Sequence, residues 1–147
     1  MDGFRQSPGL ILPWGWWQFS GRVYLPEGAS DVAALLSHGL PAIGRASASG
    51  SCGLLSQVLS ATSLAPVVVG ENDLKPDGHW PGREGAERCA NRLAAVLQRP
   101  VELVFPPPAS KDIRRITNAH GGIVRGLQPM VRLGMDWRVC CCSRAVG

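Results

Sequence analysis

The sequence predicts an α/β fold: a small, compact sandwich of about four parallel strands with flanking helices. Three observations carry that prediction. Short strand-like runs alternate with helical stretches through the middle of the chain, the order that a parallel sheet with crossover helices requires. Pro66-Val67-Val68-Val69 is an uninterrupted apolar run rich in β-branched residues, which suits a strand buried on both faces. Gly82 to Leu97 sets Ala86, Cys89, Ala90, Leu93, Ala94 and Leu97 at helical spacing, which suits a helix packed on such a sheet.

Taken in order, residues 1–21 form an irregular lead-in rich in Trp, Pro and Gly, whose rings pack on the body or stack on bases. Arg22-Val23-Tyr24-Leu25 is a short strand, ended by Pro26-Glu27-Gly28. Ser30 is a suitable N-cap for a helix through Leu36 that stops at Gly39. Pro41-Ala42-Ile43-Gly44 reads as the second strand, and Arg45 to Gly53 as a Ser/Gly/Ala loop before a helix through Leu54, Leu55, Val58 and Leu59. After the third strand, 66–69, comes the polar loop 71–81 and the long helix. Val101-Glu102-Leu103-Val104-Phe105 is the fourth strand, closed by three prolines, and Lys111 to Ile116 begins a short helix. Residues 119–147 form a basic tail with Gly, Arg and Cys and no clear periodicity.

Composition bounds the function. In 147 residues, 45% hydrophobic and 18% charged is the balance of a globular chain with a core, not of a disordered one. No apolar run approaches the ~18–20 residues of a membrane span, and the N-terminus does not read as a secretory signal. The five cysteines include no Cys-x-x-Cys pair, so neither a disulfide framework nor a zinc ribbon is indicated, and a cytoplasmic setting is expected. Charge is uneven: residues 1–110 carry eight Lys/Arg against nine Asp/Glu, and residues 111–147 seven against two. A near-neutral body with a basic tail suits an anionic partner such as nucleic acid, although an ordinary solubilising surface has the same charge.

The chemistry is expected at the C-terminal ends of the strands, where parallel sheets place their ligands. The first strand leads to Glu27, the third to Glu71 and Asp73, and the fourth to Lys111 and Asp112. If the first and third strands are neighbours, three carboxylates converge and repel one another unless a cation neutralises them. Oxygen ligands of this kind favour Mg²⁺ or Mn²⁺, which can offset charge developing in phosphoryl transfer.

The stretch from Val23-Tyr24-Leu25-Pro26-Glu27-Gly28 to Asp31 resembles the first signature of the Toprim domain, a strand ending in Glu-Gly with an Asp a few residues on. Val67-Val68-Val69-Gly70-Glu71-Asn72-Asp73 resembles its second signature, a strand ending in Asp-x-Asp. Gly82-Arg83-Glu84-Gly85 resembles the Gly-initiated helix that follows, and Lys111-Asp112 the Lys-Asp step of primase-type members. The likeness covers residues 22 to 115 and is nearest to Toprim segments of primase and primase–helicase proteins.

The resemblance implies a Toprim-like (Rossmann-like) domain over residues 22–118 that binds Mg²⁺ and acts on nucleic acid. Glu27 would be the general acid/base, and Glu71 and Asp73 the metal ligands, with Glu71 standing where the family has Asp. Asp77 would assist from the same loop, Asp31 would cap or steady its helix, Lys111 would meet a phosphate, and Asp112 would brace that lysine or cap the last helix. Primase-type nucleotidyl transfer on a DNA or RNA primer-template, together with other replication domains or subunits, is the expected function. Toprim-type nuclease chemistry and a non-catalytic nucleic-acid or protein-binding remnant are the alternatives. The absence of Gly-x-x-x-x-Gly-Lys-[Ser/Thr] from these residues argues against P-loop ATPase chemistry.

Secondary candidates lie outside those motifs. The loop before the second helix, with Arg45 and Ser49, is a phosphate-binding candidate, or else simply a flexible polar connection, and Arg83 is a further phosphate contact. Cys52 lacks a patterned His or Asn partner and reads as a small packing residue. His38, His79 and His120 are scattered, and Cys140-Cys141-Cys142 has no accompanying soft-metal ligands. Arg125, Arg132, Arg138 and Arg144 are candidates for a nucleic-acid backbone.

Overall fold

The structure is a computed structural model that describes residues 9–47, 51–106 and 110–114. Ser49, His120, the four tail arginines and Cys140–Cys142 lie outside these residues. Among the described residues, five short strands and three α-helices follow one another in the order β1 (Leu10–Ile11), β2 (Arg22–Leu25), α1 (Ala29–Ser37), β3 (Gly44–Arg45), α2 (Cys52–Ser60), β4 (Ala65–Val69), α3 (Pro81–Leu97) and β5 (Glu102–Val104). The architecture is mixed α/β.

The central sheet is parallel with strand order β2-β4-β5, pairing Tyr24 with Val67 and Val67 with Glu102. It has three strands, against an expectation of about four. The expected strand over 41–44 runs along the outer edge of β2 in the parallel sense, through isolated bridges at Tyr24–Ala42 and Glu27–Arg45. Backbone bonds from Tyr24 N to Pro41 O (2.8 Å), Ile43 N to Tyr24 O (2.9 Å) and Arg45 N to Pro26 O (2.9 Å) hold it there. Pro41 has no N–H to give, and the segment's last residue, Gly44, joins Arg45 in β3, which pairs antiparallel with β1. β1 and a single 3₁₀ turn (Trp16–Gln18) give the lead-in more order than its composition suggests.

Alternation along the strands divides the core in two. Val23, Leu25, Val68 and Leu103 join Leu55 and Leu59 of α2 and Ala86, Cys89, Ala90 and Leu93 of α3. Val67, Val69 and Val104 join Val32 and Leu35 of α1, with Ala42 and Ile113. From Pro66 onward β4 is buried, as its apolar run predicted, because apolar partners stand on both faces. α3 matches its predicted span to within one residue, starting on Pro81, whose missing N–H costs nothing at a helix start.

α1 starts differently from expectation. Its N-cap is Gly28 rather than Ser30, because the turn out of β2 needs φ +81°, which glycine adopts without strain. In the lead-in, Trp16 and Phe19 pack against the core. Trp14 and Trp17 are 93% and 55% exposed and meet edge to face at 5.1 Å. Among the described residues, no helix is long and apolar enough to cross a membrane.

Candidate functional site: a carboxylate edge

β2 and β4 are neighbours, so the residues that follow them emerge on the same edge of the sheet. Glu27 leaves β2 two residues beyond its end, and Glu71 leaves β4 likewise. Gly70 permits the second exit: its N–H donates to Val104 O at 2.9 Å, and a Cβ there would clash with the Phe105 ring. Glu71 then turns toward the loop after β5, with Lys111 Nζ 3.9 Å from its Oε2.

Asn72 makes that encounter possible. Its backbone N–H donates to Lys111 O at 2.8 Å, and its side-chain amide donates to Ser110 O at 3.1 Å and also to Pro106 O. One side chain thereby joins the loop after β4 to the loop after β5 and holds Lys111 and Asp112 beside Glu71. On the other side, Trp80 Nε1 donates to Glu71 O at 3.0 Å, while the Arg83 guanidinium stacks between Trp80 and Phe105 at 5.0 and 5.4 Å. Arg83 also donates to Glu87 at 2.9 Å, so the sequence's candidate phosphate contact is a partly exposed brace for the loop.

The electrostatics describe one crowded edge. Burial pushes the Glu71 carboxyl above the usual carboxylate range; the charge of Glu27 adds to this, Lys111 opposes it, and Asp31 and Asp112 add smaller repulsions. Asp31 is pushed up to about 6, first by burial and then by Asp112, against hydrogen bonding from the Arg114 and Ile113 backbone and the Arg114 charge. Its Oδ1 accepts from Arg114 N at 3.4 Å, which ties the start of α1 to the segment after β5. Asp112 is 8% exposed and lies 3.9 Å from the Arg114 guanidinium. Glu27, Asp31 and Asp112 therefore all bear on Glu71 across three strand ends.

Two of the acidic residues expected at the site do other work. Asp73 accepts from Gly82 N at 2.9 Å, and so satisfies an N–H at the start of α3 and complements its dipole. Gly82 is needed for this approach, since a Cβ there would meet Asp73 Oδ1 at 2.7 Å. Asp77 lies apart in an exposed turn, where it accepts from His79 N at 2.9 Å, and His79 in turn faces Glu84 at 3.3 Å. Among the described residues, no three His, Cys, Asp or Glu side chains form a group that could hold a metal ion. Of the expected trio, Glu27 acts electrostatically on Glu71, and Asp73 lies near Glu71 at the start of α3, with Glu71 Cβ and Asp73 Oδ1 both close to Gly82.

No protein-family model, no curated protein and no solved structure matches this chain.

Arg45 corrects a second expectation. It is 1% exposed, with Nε donating to Leu25 O at 3.1 Å and Nη2 to Val69 O at 2.8 Å. A guanidinium in this position cannot meet a phosphate in solvent; it braces the ends of β2 and β4, the strands that present Glu27 and Glu71. Sequence reasoning also passed over Asn72. An amide between two acidic residues just after a strand was the available signal, since Asn is suited to satisfying loop carbonyls.

Proposed function

We propose that this chain is a Toprim-like domain that takes up Mg²⁺ or Mn²⁺ at Glu27 and Glu71. In this reading it acts on nucleic acid by primase-type nucleotidyl transfer, in the cytoplasm, as part of a larger replication assembly. The observation that carries the reading is the repulsion between Glu27 and a half-buried Glu71 at adjacent ends of a parallel sheet. Burial and like charge both disfavour an ionised Glu71, and a divalent cation would relieve both. Mg²⁺ commonly takes one or two protein carboxylates and keeps several waters, so this donor pair fits it. It does not fit an ion enclosed by protein ligands alone. When bound, such an ion orients phosphate oxygens and offsets charge in phosphoryl transfer.

The chain's own groups have distinct parts in this reading. Glu27 serves the ion as a ligand rather than as the general acid/base the resemblance implies, the Lys111 ammonium brings positive charge to an incoming phosphate, and Asn72 keeps Lys111 within reach. The basic balance of residues 111–147 supports a polyanionic partner.

Trp80, bonded to the Glu71 carbonyl, supplies the readout. Mn²⁺ or Mg²⁺ should change Trp fluorescence in the parent, and Trp80→Phe should remove the change. Glu71→Gln should abolish the response, while Asp73→Asn should retain it. No response in the parent, or an unaltered one in Glu71→Gln, defeats the reading.

A second reading rests on the engagement of Asp73 with α3 and of Lys111 with Glu71, which leaves no group of three ligands among the described residues. On that reading the domain binds nucleic acid without chemistry. Binding that survives both EDTA and Glu27→Gln, with no metal-dependent incorporation or cleavage by the parent, would select it.

A further inference from the structure

The lead-in carries three closely spaced tryptophans, and the fold treats them differently. Trp16 packs against the core, as do Leu10 and Phe19. Trp14 is 93% exposed, the most of any large apolar side chain among the described residues, and Trp17 is 55% exposed. Their rings stand at 82° with centroids 5.1 Å apart, and Leu12, two residues before Trp14, is 43% exposed. The turn that holds them is hydrogen-bonded: Trp16 N donates to Pro13 O at 3.2 Å, Gln18 N to Gly15 O at 2.9 Å and Phe19 N to Trp16 O at 3.1 Å. Upstream, β1 pairs with β3, and Ser51 Oγ donates to Gly9 O at 2.7 Å. Burial would recover the free energy that an indole loses in water, so a turn fixed at both ends that keeps two of them outside marks a binding surface.

We propose that Trp14 and Trp17 are a base-stacking site for single-stranded nucleic acid. The inference rests on the nucleic-acid reading above and specifies unpaired strands as the substrate. Every base has a face that can stack on an indole, whatever the sequence. Two rings at 82° cannot join one continuous stack, so they suit bases splayed from a flexible strand. A duplex keeps its bases stacked on one another and offers neither ring a face.

Charge and size favour this occupant over a second protein. From Gly3 to Pro26 the sequence has no Asp or Glu to repel phosphates, and the whole chain carries 15 Lys/Arg against 11 Asp/Glu. Leu12, Trp14 and Trp17 are too few for a stable protein interface, which takes about 20–30 residues a side. The lead-in is also anchored next to the carboxylate edge: Leu10 pairs with Arg45, and Arg45 forms a β-bridge with Glu27. A strand held by the two rings is therefore held on a segment tied to the end of β2.

The test is the fluorescence anisotropy of a labelled oligothymidine of about 12 nucleotides titrated with the full chain, in EDTA so that no metal site contributes. The parent should bind it, and more tightly than a duplex of the same length. Trp14→Ala and Trp17→Ala should each weaken binding by about five- to 150-fold, with Trp14→Phe between Trp14→Ala and the parent. Thermal unfolding of Trp14→Ala should match the parent, because the side chain is 93% exposed, so lost binding is not lost fold. Unchanged binding in both alanine variants, or duplex binding as tight as single-strand binding, would overturn the inference and leave the nucleic-acid reading in place. Binding of neither by the parent would overturn both. A parent dimer that dissociates in Trp14→Ala, with oligothymidine binding unaffected, would assign the rings to a second copy instead. Binding that depends on Trp14 without any Trp80 response to Mn²⁺ would defeat the metal reading and sustain this inference.

Discussion

The ends of β2 and β4 are charged on both sides, and the two sides are built differently. On one side Glu27 and Glu71, with Asp31 and Asp112 beside them, crowd like charges against a half-exposed lysine. On the other, a single arginine is enclosed at 1% exposure and bonded to the carbonyls of Leu25 and Val69. The buried cation is matched by acceptors and serves the fold. The carboxylates repel one another and are only partly offset by Lys111 and Arg114, which a fold tolerates where a cation or a proton is to be bound. The same strand ends thus separate a structural charge from a candidate functional one.

The sharpest way to break this contrast is Arg45→Met. It leaves two buried carbonyls without their donor, and urea denaturation should show a loss of about 3–5 kcal/mol. A loss below about 1 kcal/mol would mean that the guanidinium is not the brace described here.

Asp31→Asn should act in the opposite direction. The carboxyl of Asp31 is raised from 3.8 to about 6 in the fold, so between those values the native state holds a proton that the unfolded chain has released. The parent's stability should therefore fall as pH rises from about 4 to about 6 and stay lowered above that window. The Asn variant, which does not ionise, should lose this slope and be more stable at pH 7 by on the order of 1–3 kcal/mol. Thermal unfolding across pH 3.5–7.5 checks both the sign and the window.

Asp73→Asn sharpens the comparison within the acidic residues themselves. Asn still accepts from Gly82 N but gives up the charge that favours the α3 dipole, so unfolding should show a loss of about 0.3–1 kcal/mol. The smallest effect belongs to Asp77→Ala, in an exposed turn away from the edge, with a change within about 0.5 kcal/mol and no change in the metal response. A metal response abolished by Asp77→Ala would redraw the site.

Much of the fold was legible because its signals are local. The apolar run of β4, the spacing of Ala86, Cys89, Ala90 and Leu93, and the acidic residues just past each strand can all be read along the chain. The start of α1 was misplaced because Ser30 has the chemistry of a cap, whereas the turn geometry selected Gly28. Residues 41–44 have strand character, but a proline and the diversion of Gly44–Arg45 to β1 limit them to bridges.

Periodicity and turn chemistry in the sequence alone determined that helices alternate with a parallel sheet and that carboxylates follow its strands. Only the tertiary structure decided that Glu27 and Glu71 leave adjacent strands on one sheet edge while Asp73 binds the start of α3, and that Arg45 lies inside. The reason is physical: the alternation of a strand or helix is set by its own residues. The partner of a charge or a sulfur is set by whatever the packing of distant segments brings within bonding distance.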